Sequence, residues 1–193
     1  MNLPNKLSIV RLCLIPVFAA TYFISALSFN FLIAGVVFAV AAATDFLDGH
    51  IARKYNLVTD LGKFLDPIAD KVLVATAYIV MLVPAGAGEP VMPWYCAIGT
   101  VIILARELIV SGFRMVAASK GLVLAADKAG KLKTVVQDLA AVVLLVGADV
   151  MPGIYSAVNI AGLVLFGIAV LLTVISGTEC IVKNRSVLKE NAD

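Results

Sequence analysis

The chain has 193 residues, 62% hydrophobic and only 15% charged, against roughly 25% charged residues in an ordinary soluble domain. With a mean hydropathy of +1.03, this composition excludes a water-soluble globular enzyme and indicates an integral membrane protein, best counted in spans of about 20 residues. The net charge of +2 says little by itself, and no nucleic-acid partner is expected.

The positions of the charges are more informative. All 15 Lys and Arg lie near the start, between Arg53 and Lys71, between Arg106 and Lys133, or after Cys180. The turns around Ser28 to Asn30, Pro84 to Pro93 and Asp149 to Gly153 contain none. By the positive-inside rule the first group faces the cytosol and the second faces away. An even number of spans follows, with both termini inside. The expected fold is all-α, a multi-pass bundle of six transmembrane helices forming one domain over residues 1–193, preceded by a short N-terminal interfacial helix.

In chain order, Pro4 suits a first helical turn, and Asn5 and Ser8 are backbone-bonding residues near that entry. The run Leu12 to Phe29 is uncharged over about 18 residues, longer than a signal-peptide core, and reads as a retained first span. A second apolar run, Phe31 to Thr44, leads directly into Asp45 and the polar segment DGHIARKYN. The third span begins around Gly62 to Lys71, where Pro67 is tolerable in an opening turn. Trp94 and Tyr95 open the fourth span at an interface suited to amphipathic rings. That span carries Arg106, Glu107 and Arg114 in otherwise apolar sequence. The fifth follows KAGKLKT and has Gln137 and Asp138 in its first turns, and the sixth runs from about Ile154 to Ile181. Cys13, Cys96 and Cys180 form no metal or redox motif and read as small core residues. His50 is too isolated to build a site and reads as a packing or capping residue.

The distinctive stretch lies between Asp45 and Asp70. Asp45 and Asp48 are three residues apart and Asp66 and Asp70 four apart, so each pair projects from one helical face. An Asp inside a membrane helix costs about 2.5 to 3.5 kcal/mol on insertion scales, so acids retained there are functional by default. Four carboxylates at one interface repel one another unless cations neutralise them, and hard oxygen donors suit Mg2+ or Mn2+, most naturally as a pair of ions. Gly49 permits close backbone approach, and Arg53 can pair with phosphate. Asp60 reads as an ordinary solvated cap.

Asp45, Asp48-Gly49, Ala52-Arg53, Gly62, Asp66 and Asp70 reproduce D-x2-D-G-x2-A-R-x8-G-x3-D-x3-D at all eight fixed positions. In this the chain resembles the CDP-alcohol phosphotransferase family. The resemblance implies that Asp45, Asp48, Asp66 and Asp70 bind metal and that Asp70 is also the general base. It further implies that Gly49, Arg53 and Thr59 contact the CDP part of a CDP-diacylglycerol donor, with Asn5 and Ser8 on the nucleotide side, and that the protein is a homodimer.

The family signature leaves the acceptor open. Arg106, Arg114, Lys131 and Lys133 at the cytosolic ends of spans four and five could form a phosphate pocket, favouring an acceptor that carries its own phosphate. ARELIVSGFR and GKLKTVVQD resemble the branch of the family whose acceptor is sn-glycerol 3-phosphate. The bland reading pairs Arg106 with Glu107 or Asp138 and leaves the lysines, Lys120 and Lys128 above all, touching anionic headgroups. The implied function is transfer of a phosphatidyl group to glycerol 3-phosphate, releasing CMP at the cytosolic face of a bacterial inner membrane. The alternatives are the same chemistry on an inositol phosphate or phosphatidylglycerol acceptor, and, in another class, a divalent-cation transporter.

Overall fold

The computed structural model describes residues 3–55, 60–86, 88–122, 128–151 and 156–188, with the side chains of all of these except 3–6, 45–55, 60–67, 128, 186 and 188. The described residues form six α-helices and no strand: α1 (Leu3–Phe23), α2 (Asn30–Tyr55), α3 (Asp60–Met81), α4 (Cys96–Ser119), α5 (Lys128–Val150) and α6 (Ala157–Lys183), followed by a 3-10 turn at Arg185–Leu188. Helices dominate because uninterrupted apolar sequence can satisfy its backbone only within the segment once water is absent. α1 is unbroken from Leu3 to Phe23 and carries Pro16 inside it. No separate short helix precedes it among the described residues, so an interfacial segment would have to be the first turns of α1 itself.

α4 and α6 are long and apolar enough to cross a membrane, and Leu7–Phe23 and Asn30–Thr44 form shorter apolar stretches. Both long helices carry bulky apolar groups on their outer faces, including Ile98, Val101 and Leu108 on α4 and Val164, Leu171 and Ile175 on α6. In water such faces would be a liability; against lipid they are the expected surface.

α1 packs most extensively on α2, and α5 on α6; α2 meets α5, α1 meets α3, and α4 meets α6. Phe18, Tyr22, Phe38, Leu73, Tyr78, Met81, Ile103, Leu144 and Leu145 are almost wholly buried in the shared core. α5 and α6 approach closely because position 162 is glycine: a Cβ there would lie 2.7 Å from Leu144 Cγ. Small residues at such crossings let membrane helices gain van der Waals contact where no hydrophobic drive exists.

Three Lys/Arg-free turns gather at one end. The Leu32 amide donates to Asp149 Oδ2 at 2.7 Å, tying the end of α5 to the first turn of α2. Tyr22 Oη donates to the Val83 carbonyl at 2.9 Å, tying the end of α1 to the turn after α3. Within that end, Asn30 Nδ2 donates to the Tyr22 carbonyl at 2.7 Å, and Phe29 takes a positive φ of 61°. The basic segments meet at the opposite end, where Lys120 Nζ donates to the Val187 carbonyl at 2.8 Å. The charge pattern along the chain thus separates the two ends of the helix bundle. Lys120, expected to touch lipid headgroups, is exposed and also bonds the 3-10 turn at Arg185–Leu188.

Candidate functional site

The eight signature positions fall on two helices that touch: Asp45, Asp48, Gly49, Ala52 and Arg53 on the last turns of α2, and Gly62, Asp66 and Asp70 on the first half of α3. The spacings of three and four residues put each acidic pair on one helical face. The side chains of Asp45, Asp48, Arg53 and Asp66, with those of Asn5, His50 and Asp60, lie outside the described set, as does the whole of Thr59. Among the described residues no group of three or more His, Cys, Asp or Glu is arranged to hold a metal ion. The acids of the signature offer carboxylate oxygen throughout, a chemistry that fits a hard divalent cation better than a softer metal.

Asp70 is described, and it lines a cavity of about 230 Å³ bounded by α3, α4 and α5. Its polar lining is Asp70 and Lys71 from α3, Glu107 from α4, and Lys133, Thr134 and Gln137 from α5; Val74, Ile103 and Leu104 supply apolar wall. Behind the wall, Tyr78 Oη donates to the Gln137 carbonyl at 2.7 Å and fixes α3 against α5.

Glu107 is the centre of charge in this wall. Its Oε1 accepts from Lys133 Nζ and, at 3.1 Å, from Arg106 Nη1. Arg106 Nη2 donates to Ser176 Oγ at 2.9 Å. The guanidinium stem fits against α6 because position 177 is glycine, where a Cβ would stand 2.8 Å from Arg106 Cγ. The Lys133 side chain is only 5% exposed. A lysine held at such burial requires a partner for its charge, and Glu107 provides it.

Of the four cations read from the sequence as a phosphate pocket, two therefore come together. Lys133 lines the cavity, and Arg106 joins it through Glu107 while its stem borders a separate groove between α4 and α6. Arg114 and Lys131 are exposed and form no part of the cavity wall. The Arg106 to Glu107 pairing, foreseen as an ordinary ion pair, is present. Lys71, read from the sequence only as one of the basic residues near the start of the third span, also belongs to the wall. Ser8 is fully buried. Cys96 and Cys180 are buried as expected, whereas Cys13 is exposed on α1.

Arg11 was not singled out by the sequence. It is fully buried, and its Nε donates to the Ala41 carbonyl at 3.2 Å and to Thr44 Oγ1 at 3.3 Å. Thr44 Oγ1 itself donates to the Ala41 carbonyl at 2.7 Å. This network braces the turn of α2 that immediately precedes Asp45. The available signal was a lone Arg one residue before the long apolar run.

The chain matches the CDP-alcohol phosphatidyltransferase family over residues 1–175. It is 37% identical to the CDP-diacylglycerol–glycerol-3-phosphate 3-phosphatidyltransferase of Bacillus subtilis, over 97% of each chain. It is 39% identical to the protein of that name from Rickettsia bellii over 91% of each, and 36% identical to that of Escherichia coli over 89% of this chain and 88% of the relative. A signature complete on two touching helices, a cavity reached by its last aspartate, and a match that covers most of the sequence lead to one assignment: the chain belongs to the CDP-alcohol phosphatidyltransferase family.

Proposed function

We propose that the protein transfers the phosphatidyl group of CDP-diacylglycerol to sn-glycerol 3-phosphate, giving phosphatidylglycerophosphate and CMP. The observation that carries this reading is the shared cavity, in which Asp70 of the signature stands on one wall with the buried cation of Lys133 on another. A proton acceptor and a phosphate-binding cation facing one space suit an acceptor with a hydroxyl at one end and a phosphate at the other. The names carried by the relatives support the same acceptor.

Asp70 takes the proton of the acceptor's primary hydroxyl as its oxygen attacks the lipid-side phosphorus, and the bond from that phosphorus to the CMP oxygen breaks. Lys133, with Arg106 linked to it through Glu107, draws the acceptor phosphate into the cavity; Arg114 and Lys131 contribute a positive field at its approach. Gly49, Arg53 and Thr59 hold the CDP part of the donor, with Asn5 and Ser8 on its nucleotide side. Asp45, Asp48, Asp66 and Asp70 would hold two Mg2+ or Mn2+ ions, which when bound stabilise charge on the diphosphate during displacement.

The lipid tails require a membrane setting. The reading takes the six helices as six spans of a bacterial inner-membrane protein, probed by lipid on its outer faces, with both termini and the cavity mouth cytosolic. The same reading makes the protein a homodimer, as the family resemblance implies.

The test is purified full-length protein supplied with CDP-diacylglycerol, Mg2+ and labelled acceptors. CMP release dependent on glycerol 3-phosphate is expected. Absence of CMP release with any alcohol would sink the enzyme reading, and release with inositol phosphate or phosphatidylglycerol alone would sink the acceptor.

A further inference from the structure

We infer that Glu107 is a positioning residue for the acceptor: its carboxylate fixes Lys133 and Arg106 so that the cavity presents a preset cationic seat to a phosphate monoester. This rests on the proposed reading of the cavity as the acceptor site.

One carboxylate oxygen joins three helices. Glu107 Oε1 on α4 accepts from Lys133 Nζ on α5 and from Arg106 Nη1, whose other nitrogen reaches Ser176 on α6. Lys133 is 5% exposed at its side chain, yet it lies on the cavity wall. A lysine stem has four rotatable bonds, and an ammonium without a partner in so dry a place would turn toward water. Glu107 removes that freedom before substrate arrives. An ammonium has three donors, and Glu107 occupies one of those on Lys133, leaving the others for an incoming phosphate. The triad keeps one net positive charge, and on the same wall the charge of Lys71 offsets that of Asp70. The seat thus attracts a dianion although it contains an acid.

The opposite role for Glu107 is that of a competitor, a carboxylate occupying the place of the phosphate. The two roles predict changes of opposite sign when its charge is removed.

The experiment uses the full chain in detergent with CDP-diacylglycerol and Mg2+, varying glycerol 3-phosphate and donor separately. Glu107→Gln is expected to raise the acceptor KM by about tenfold or more, the scale of a lost charge-assisted hydrogen bond. The donor KM and the kcat at saturating acceptor should stay within about twofold, as when only ground-state and transition-state binding are lost together. Glu107→Asp, which restores the charge on a shorter stem, should fall between. In a Lys133→Gln background the Glu107→Gln effect should shrink, because the two act through one contact.

An unchanged or lowered acceptor KM overturns the inference, and so does a matching loss in kcat and donor KM. If Glu107→Gln does not fold, as judged by size exclusion, Glu107→Asp decides: a folded Asp variant with wild-type acceptor KM overturns it. Failure of the wild-type protein to use glycerol 3-phosphate is a different result and sinks the acceptor reading beneath it.

Discussion

Asp70 stands where the signature meets the cavity between α3, α4 and α5, so its substitution tests the proposed division between binding and chemistry. Asp70→Asn preserves volume and removes both the negative charge and the basic oxygen. Turnover is expected to fall by at least about a hundredfold, the range of general acid–base catalysis, while the fold and donor binding persist. CMP release measured beside donor binding checks this, and near-normal turnover would remove the assignment. Arg106→Ala should raise the acceptor KM by about tenfold, as for loss of a charged hydrogen bond, and leave the donor KM nearly unchanged; the comparison of the two titrations decides. Chelation of divalent ions should abolish CMP release and added Mg2+ or Mn2+ restore it, as measured by titration after dialysis.

At this scale the helical placement of the signature acids was legible because it is local: three- and four-residue spacings fix a helical face whatever the rest of the chain does. The partner of Lys133 was not. Which cation Glu107 receives depends on α5 presenting Lys133 to α4 across the cavity that α3 shares with them, a tertiary fact for which the segment ARELIVSGFR carries no spacing signal. Arg11 was missed for the same reason, since its partners, Ala41 and Thr44, lie on another helix.

Between elements, contact geometry at two crossings makes the strongest demand. Gly162→Val would place a branched side chain where even a Cβ lies 2.7 Å from Leu144 Cγ. Overpacking of this kind costs about 1 to 3 kcal/mol, so thermal unfolding in detergent should occur at clearly lower temperature than for wild type. The α1 to α2 crossing depends on a polar tie instead. Arg11→Met keeps much of the stem but removes the donors to Ala41 and Thr44, with an expected loss of about 1.5 to 3 kcal/mol, seen by the same melt. The ends of the helices followed the charge pattern well, because Lys and Arg near a membrane sort by side. The extent of α2 was legible in part: the spacing of Asp45 and Asp48 carries the helix past the apolar stretch that stops at Thr44, while its continuation to Tyr55 has no hydropathy signal. Hydropathy marks a change of surroundings, and a helix does not end merely because its surroundings become polar.

For the molecule as a whole, the bonds from Tyr22 to Val83 and from Leu32 to Asp149 collect three turns at one end, and the bond from Lys120 to Val187 lies at the other. Cysteines introduced singly at Ser28 and Pro90 should react with a membrane-impermeant thiol reagent added outside intact cells, whereas one at Lys120 should react only after the membrane is opened. The reverse pattern would invert the orientation.

α5 has a further role that becomes visible when the chain is considered in the order of its synthesis. It brings Asp149 to the amide of Leu32 at one end and Lys133 to Glu107 at the other, and both recipients emerge from the ribosome well before their partners. A nascent chain halted before Lys128 would hold α2 with an open first turn and α4 with a carboxylate lacking its lysine. Release a few dozen residues later should close both ends together, so resistance to proteolysis in arrested chains is expected to rise in a single step as α5 enters the membrane.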